Sequence, residues 1–107
     1  MDAMELLNKK GVGISLADIK EVVGRYGIKE LAVFGSVMRE DFSADSDIDL
    51  LIEFENSAII SLFDLIDIQS YFESKFKRPV DLVEPAGLRN PYRKKAILDG
   101  KAILYVA

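Results

Sequence analysis

Residues 31–54 read LAVFGSVMREDFSADSDIDLLIEF, and the fold turns on how this stretch is divided. Glu30 to Phe34 form a short, mostly apolar run that ends at Gly35-Ser36, the pattern of a buried strand breaking into a tight turn. Residues 37–45 leave room for one helical turn and a polar loop. From Asp47 to Phe54 the residues alternate. Ile48, Leu50, Ile52 and Phe54 share one parity, and Asp47, Asp49, Leu51 and Glu53 share the other. Side chains alternate across a strand, so this is a strand with one apolar face and one face that begins acidic.

Working outward, Ser15 with Asp18 has the spacing of a capping box. Leu16, Ile19, Val22, Val23 and Tyr26 then fall on one helical face, and Gly27 closes the helix. Upstream, residues 1–13 hold at most a short helix and a turn. Ser61 with Asp64 repeats the capping box ahead of a helix of about 15 residues. Leu62, Leu65, Ile66, Phe72 and Phe76 form its expected stripe, Lys75, Lys77 and Arg78 suit its C-terminal dipole, and Pro79 stops it. Val80 to Val83 is a third strand. Asn90-Pro91 opens a last helix that ends near Gly100, and Ala102 to Val106 is a final strand. The expected architecture is α/β (α+β), with a mixed sheet of about four strands packed with helices, in one domain over residues 1–107.

The composition narrows the chemistry. The chain has 107 residues, 50% of them hydrophobic, and a net charge of −4 from 18 acidic and 14 basic residues. The acidic balance argues against polymeric nucleic acid as the main partner. There is no cysteine and no histidine, which excludes thiolate metal sites, Ser-His and Cys-His catalysis, and an imidazole proton shuttle. No apolar run reaches membrane-spanning length and no signal pattern opens the chain, so the expectation is a cytoplasmic protein. Carboxylates, Lys, Arg, hydroxyls or a bound metal must carry any reaction.

Asp47 and Asp49 project from one strand face, where two anions repel unless a cation lies between them. Oxygen-rich sites of this kind suit Mg²⁺, which also binds phosphates. Asp81 lies between Val80 and Leu82, an awkward place for a residue that disfavours strands and burial. If its strand neighbours that of Asp49, three carboxylates converge and can hold two metal ions across an in-line phosphoryl displacement. Gly35 permits close approach of backbone to a ligand, and Ser36 offers a hydroxyl and an N–H to phosphate. Arg39 points the same way if the turn is helical, and its guanidinium can fork onto phosphate oxygens. Each signal alone has an ordinary reading: a solvated Asp-x-Asp turn, a plain Gly-Ser turn, an edge-strand Asp81, a surface Arg39. It is their order, spacing and strand context together that point to a nucleoside triphosphate with magnesium.

Gly35-Ser36, Arg39 and Ser46-Asp47-Ile48-Asp49-Leu50 resemble the Gly-Ser…Asp-x-Asp signature of the polymerase-β-like nucleotidyltransferase superfamily. The small size is similar to its minimal nucleotidyltransferase (MNT) branch. The resemblance extends over Leu31–Phe54, the third-carboxylate strand Val80–Glu84 and the final strand Ala102–Val106. It implies that Asp47, Asp49 and Asp81 are catalytic and metal-ligating, with Asp81 also the base toward an acceptor hydroxyl. Gly35, Ser36, Arg39 and Ser46 would bind the nucleotide. Where many members have Gly after the arginine, this chain has Glu40. The resemblance further implies ATP as substrate, two Mg²⁺ ions, and the antitoxin half of a HEPN/MNT toxin–antitoxin module, moving AMP to a tyrosine of the HEPN toxin. A domain this small needs its acceptor delivered by a partner, which would also cover the apolar residues of the C-terminal segment, as a homodimer would equally. Two other functions compete: a non-catalytic module that neutralises its partner by covering a surface, and nucleotidyl transfer to a small molecule such as an antibiotic.

Overall fold

The computed structural model describes residues 2–107. In chain order it holds helices α1 (Ala3–Lys9) and α2 (Leu16–Tyr26), strand β1 (Ile28–Phe34), a 3₁₀ turn over Gly35–Met38, strand β2 (Ile48–Phe54), helix α3 (Leu62–Phe76), strand β3 (Val80–Val83), a second 3₁₀ turn over Pro85–Gly87, helix α4 (Pro91–Gly100) and strand β4 (Ala102–Val106). Both expected capping boxes form: the Ser15 and Ser61 hydroxyls accept from the N–H groups of Asp18 and Asp64, whose carboxylates accept in return. Gly27 ends α2 at a φ of 67°, a left-handed conformation that costs glycine little.

The four strands lie in the order β3-β2-β1-β4. β1 pairs antiparallel with β2 and with β4, while β2 and β3 run parallel. A parallel neighbour needs a crossover, and α3 supplies it. One face of the sheet (Leu31, Val33, Ile48, Leu50, Ile52, Val80) packs in a single apolar cluster with Leu7, Ile19, Val22, Ile68, Phe72 and Phe76 of α1, α2 and α3. The other face holds a smaller cluster in which Ala32, Phe34 and Leu51 meet Leu88 and Ile97, the last from α4. Leu51 shares the parity of Asp49 and is nonetheless buried, because the acidic face becomes apolar one step along β2, where α4 covers it.

The α3 stripe differs from expectation. Its buried row is Ile68, Phe72 and Phe76, whereas Leu62 and Ile66 are 70% and 50% exposed. Ile68, Phe72 and Phe76 are spaced by four, so they climb one side of the helix and follow the sheet. At 3.6 residues per turn Leu62 and Ile66 lie off that row and stay uncovered. Phe72 stacks on Phe76 with ring centroids 5.6 Å apart and meets Tyr71 edge-on. Phe72→Ala is therefore expected to destabilise the fold by about 3–5 kcal/mol. Leu62→Ala is expected to change stability by less than about 0.5 kcal/mol, and urea unfolding of the two variants checks the contrast.

Candidate active site

The acidic face is assembled by register. Asp49 of β2 pairs with Phe34 of β1 on one side and with Asp81 of β3 on the other, and directly paired residues project from the same face of a sheet. Asp47 lies just before β2, exposed. Asp49 is half-buried, and its carboxyl is pushed above its ordinary range, first by burial and then by the charge of Asp81. Asp47 adds to that push, while the Ser36 backbone N–H and, more weakly, the Arg39 charge pull the other way. Among the described residues, no three carboxylates stand close enough as placed to ligate one ion. The donor chemistry still fits a hard cation: the three acids are all oxygen donors, and the half-buried Asp49 is crowded by the charges of Asp81 and Asp47.

Gly35 follows Phe34 at a φ of 72° and begins the 3₁₀ turn. A side chain here would overlap the Asp49 carboxylate: an added Cβ would collide with Oδ2 and come within 3.1 Å of Cγ. Glycine is thus required twice at this position, for its left-handed backbone and for the space it leaves to an acid on the neighbouring strand.

The remaining sequence-derived residues are spread around this centre. The Ser36 hydroxyl donates to the Asp47 carbonyl at 3.2 Å, tying the turn after β1 to the entry of β2. The Ser46 hydroxyl accepts from the Ser43 N–H at 3.0 Å and shapes the loop between them. Arg39 is extended rather than helical, and its guanidinium pairs with Asp41 at 3.2 Å with both side chains largely exposed. The expected helical alignment of Arg39 with Ser36 is therefore absent, because the turn ends at Met38.

Two residues were missed in the sequence. Arg78 donates to the carbonyls of Ser43 and Ser46 at 3.1 and 3.0 Å and lies 4.7 Å from the Phe42 ring centroid. It fastens the loop that delivers Asp47, although its place after α3 marked it only as a dipole partner. Arg93 of α4 lines a cavity of about 280 Å³ together with Phe34, Gly35, Met38 and Ile97, beside the Gly35 turn. Nothing in the local pattern of α4 signalled that position.

The family model for the nucleotidyltransferase domain matches residues 16–104. The protein adenylyltransferase MntA of Thermococcus cleftensis is 36% identical over 93 residues, covering 87% of this chain and 89% of that protein. A candidate protein adenylyltransferase of Methanocaldococcus jannaschii is 38% identical over 78 residues, covering 73% of this chain and 78% of the other. The solved structure of a candidate minimal nucleotidyltransferase superposes with a TM-score of 0.66 at 30% identity, covering 94% of each chain. A toxin–antitoxin structure with AMP-PNP has the same fold, with a TM-score of 0.66 at 14% identity over 88% of this chain and 75% of that one.

The raised Asp49 carboxyl has a definite consequence for stability. Between its ordinary value of 3.8 and its raised folded value, the folded state holds more protons than the unfolded one, so stability falls as pH rises through that window. Without divalent cations, Asp49→Asn is expected to be more stable than the parent at pH 7, and the gain is expected to vanish below the ordinary carboxylate value. Gly35→Ala is expected to lose about 1–2 kcal/mol from its backbone alone, with more from the collision. Thermal unfolding across pH measures both.

Proposed function

The chain belongs to the nucleotidyltransferase domain family, and from that premise we propose that it moves AMP from ATP to a tyrosine hydroxyl of a partner toxin of the HEPN type, as an antitoxin. The observation that carries the reading is the register of Asp49 with Asp81 beneath the Gly35-Ser36 turn, which sets a crowded acidic face beside a turn suited to phosphate. The relatives named as protein adenylyltransferases supply the acceptor class. The toxin–antitoxin neighbour with AMP-PNP supports a toxin partner and an adenine nucleotide.

In this proposal Asp47, Asp49 and Asp81 would hold two Mg²⁺ ions, whose charge would offset that of the crowded acids and of the triphosphate. Gly35 and Ser36 would offer the backbone of the turn to the phosphates, and the Ser36 and Ser46 hydroxyls would bond phosphate oxygens after leaving the Asp47 carbonyl and the Ser43 N–H. Arg39 would contribute charge from the rim after leaving Asp41. Asp81, exposed at the sheet edge, takes the proton of the acceptor hydroxyl. The hydroxyl oxygen forms a bond to the α-phosphorus, the bond from that phosphorus to the bridging oxygen breaks, and pyrophosphate leaves.

The test is incubation of the protein with the product of the adjacent reading frame, α-labelled ATP and Mg²⁺. Label is expected on a tyrosine of the partner. Asp49→Asn and Asp47→Ala are each expected to lower the rate about a hundredfold or more, the several kcal/mol that metal-assisted charge stabilisation supplies. Chelation with EDTA is expected to abolish transfer, and excess Mg²⁺ to restore it. Absence of label with wild-type protein, together with full neutralisation of the partner by Asp49→Asn, refutes the catalytic reading.

A further inference from the structure

A groove of about 380 Å³ runs along the β3 edge of the sheet, its lining without Gly35, Asp47, Asp49 or Asp81. Its apolar walls include Leu62 and Ile66 of α3 on one side and Val83 and Leu88 on the other. Both of these α3 residues are left exposed by the core.

The backbone of β3 gives the groove its chemistry. β3 is an edge strand with β2 on one side only. On the outer side, the Val80 N–H donates to Glu73 Oε2 at 3.1 Å, and the Val80 carbonyl accepts from Gln69 Nε2 at 2.7 Å. Side chains of α3 thus cap the first residue of the edge. Peptide groups alternate in direction along a strand, so Leu82 presents its N–H and C=O on the same outer side as Val80. No described residue bonds either group. An open donor–acceptor pair on a sheet edge is a template for another strand, and extended peptides use such edges, with backbone bonds for affinity and side-chain pockets for selectivity.

Charge favours the same occupant. The ionisable side chains lining the groove are Glu84 and Arg93, of opposite sign, so the lining has no cationic excess to draw a triphosphate. Leu82 also follows Asp81 directly on the same edge strand, so a segment paired with Leu82 runs past the acid proposed to receive the acceptor proton. We propose that the partner polypeptide docks here as an extended segment, pairing its backbone with Leu82 and seating an apolar side chain between Leu62 and Leu88. That places its acceptor hydroxyl at Asp81. The inference rests on the reading of a polypeptide acceptor given above.

The test follows amide exchange by NMR in the full chain without nucleotide, with and without the product of the adjacent reading frame. Exchange of the Leu82 amide is expected to slow at least tenfold when the partner is added. Ile66→Lys, a change at an exposed position in the groove wall, is expected to weaken partner binding at least tenfold. It should leave the slow transfer to N-acetyltyrosine amide unchanged. Phe63→Lys, exposed but outside the groove lining, is expected to bind as wild type. Partner binding without Leu82 protection, Ile66→Lys binding as wild type, or no binding at all overturns the docking proposal. Leu82 protection that grows with protein concentration in the absence of partner assigns the groove to a second copy, and also overturns it. Leu82 protection by the partner without label transfer leaves the docking in place and removes the transfer reading instead.

Discussion

The carboxylate of Asp49 occupies space that any residue but glycine at position 35 would take. That contact fixes the relation between the turn after β1 and the strand β2. The same carboxylate faces Asp81 across the parallel pair and is held in an environment that disfavours its charge. Burial of a charge without a partner costs stability, so this arrangement is a local cost that the rest of the fold offsets. The larger apolar cluster on the opposite face, spanning α1, α2, α3 and the sheet, is where that compensation comes from.

The two faces of the sheet therefore do different work. One is sealed by three helices. The other is covered by α4 over a small cluster, and its acidic end stays open beside the cavity that Gly35 and Arg93 share. A thin layer buries less apolar surface, but it leaves room for a ligand without opening the main core. Among the described residues, no helix is long and apolar enough to cross a membrane.

Much of this was legible locally. Both capping boxes, the Asn90-Pro91 helix start and the alternating β2 were present as short patterns, and each formed, because caps and strand parity depend on residues a few positions apart. The α3 face was misread because Leu62, Leu65 and Ile66 form a plausible apolar stripe of their own, and only the angle at which the helix meets the sheet selects Ile68 instead. The Ser36 bond to the Asp47 carbonyl and the Arg78 bonds to the 43–46 loop join segments far apart in sequence, for which no local signal exists. Arg39 needed a helix one residue longer than the turn allows.

The parallel pairing of β2 with β3 carries a kinetic consequence. The antiparallel β1–β2 contact closes across a short loop, whereas Asp49 and Asp81 meet only after all of α3 has been made and laid across the sheet. Contacts distant along the chain form late and slow the search for the native state. During synthesis the Gly-Ser turn and Asp47-Asp49 emerge first, and the opposing acid arrives last with β3. A nascent or partly unfolded chain thus lacks the complete acidic face, so competence for chemistry is tied to completion of the fold.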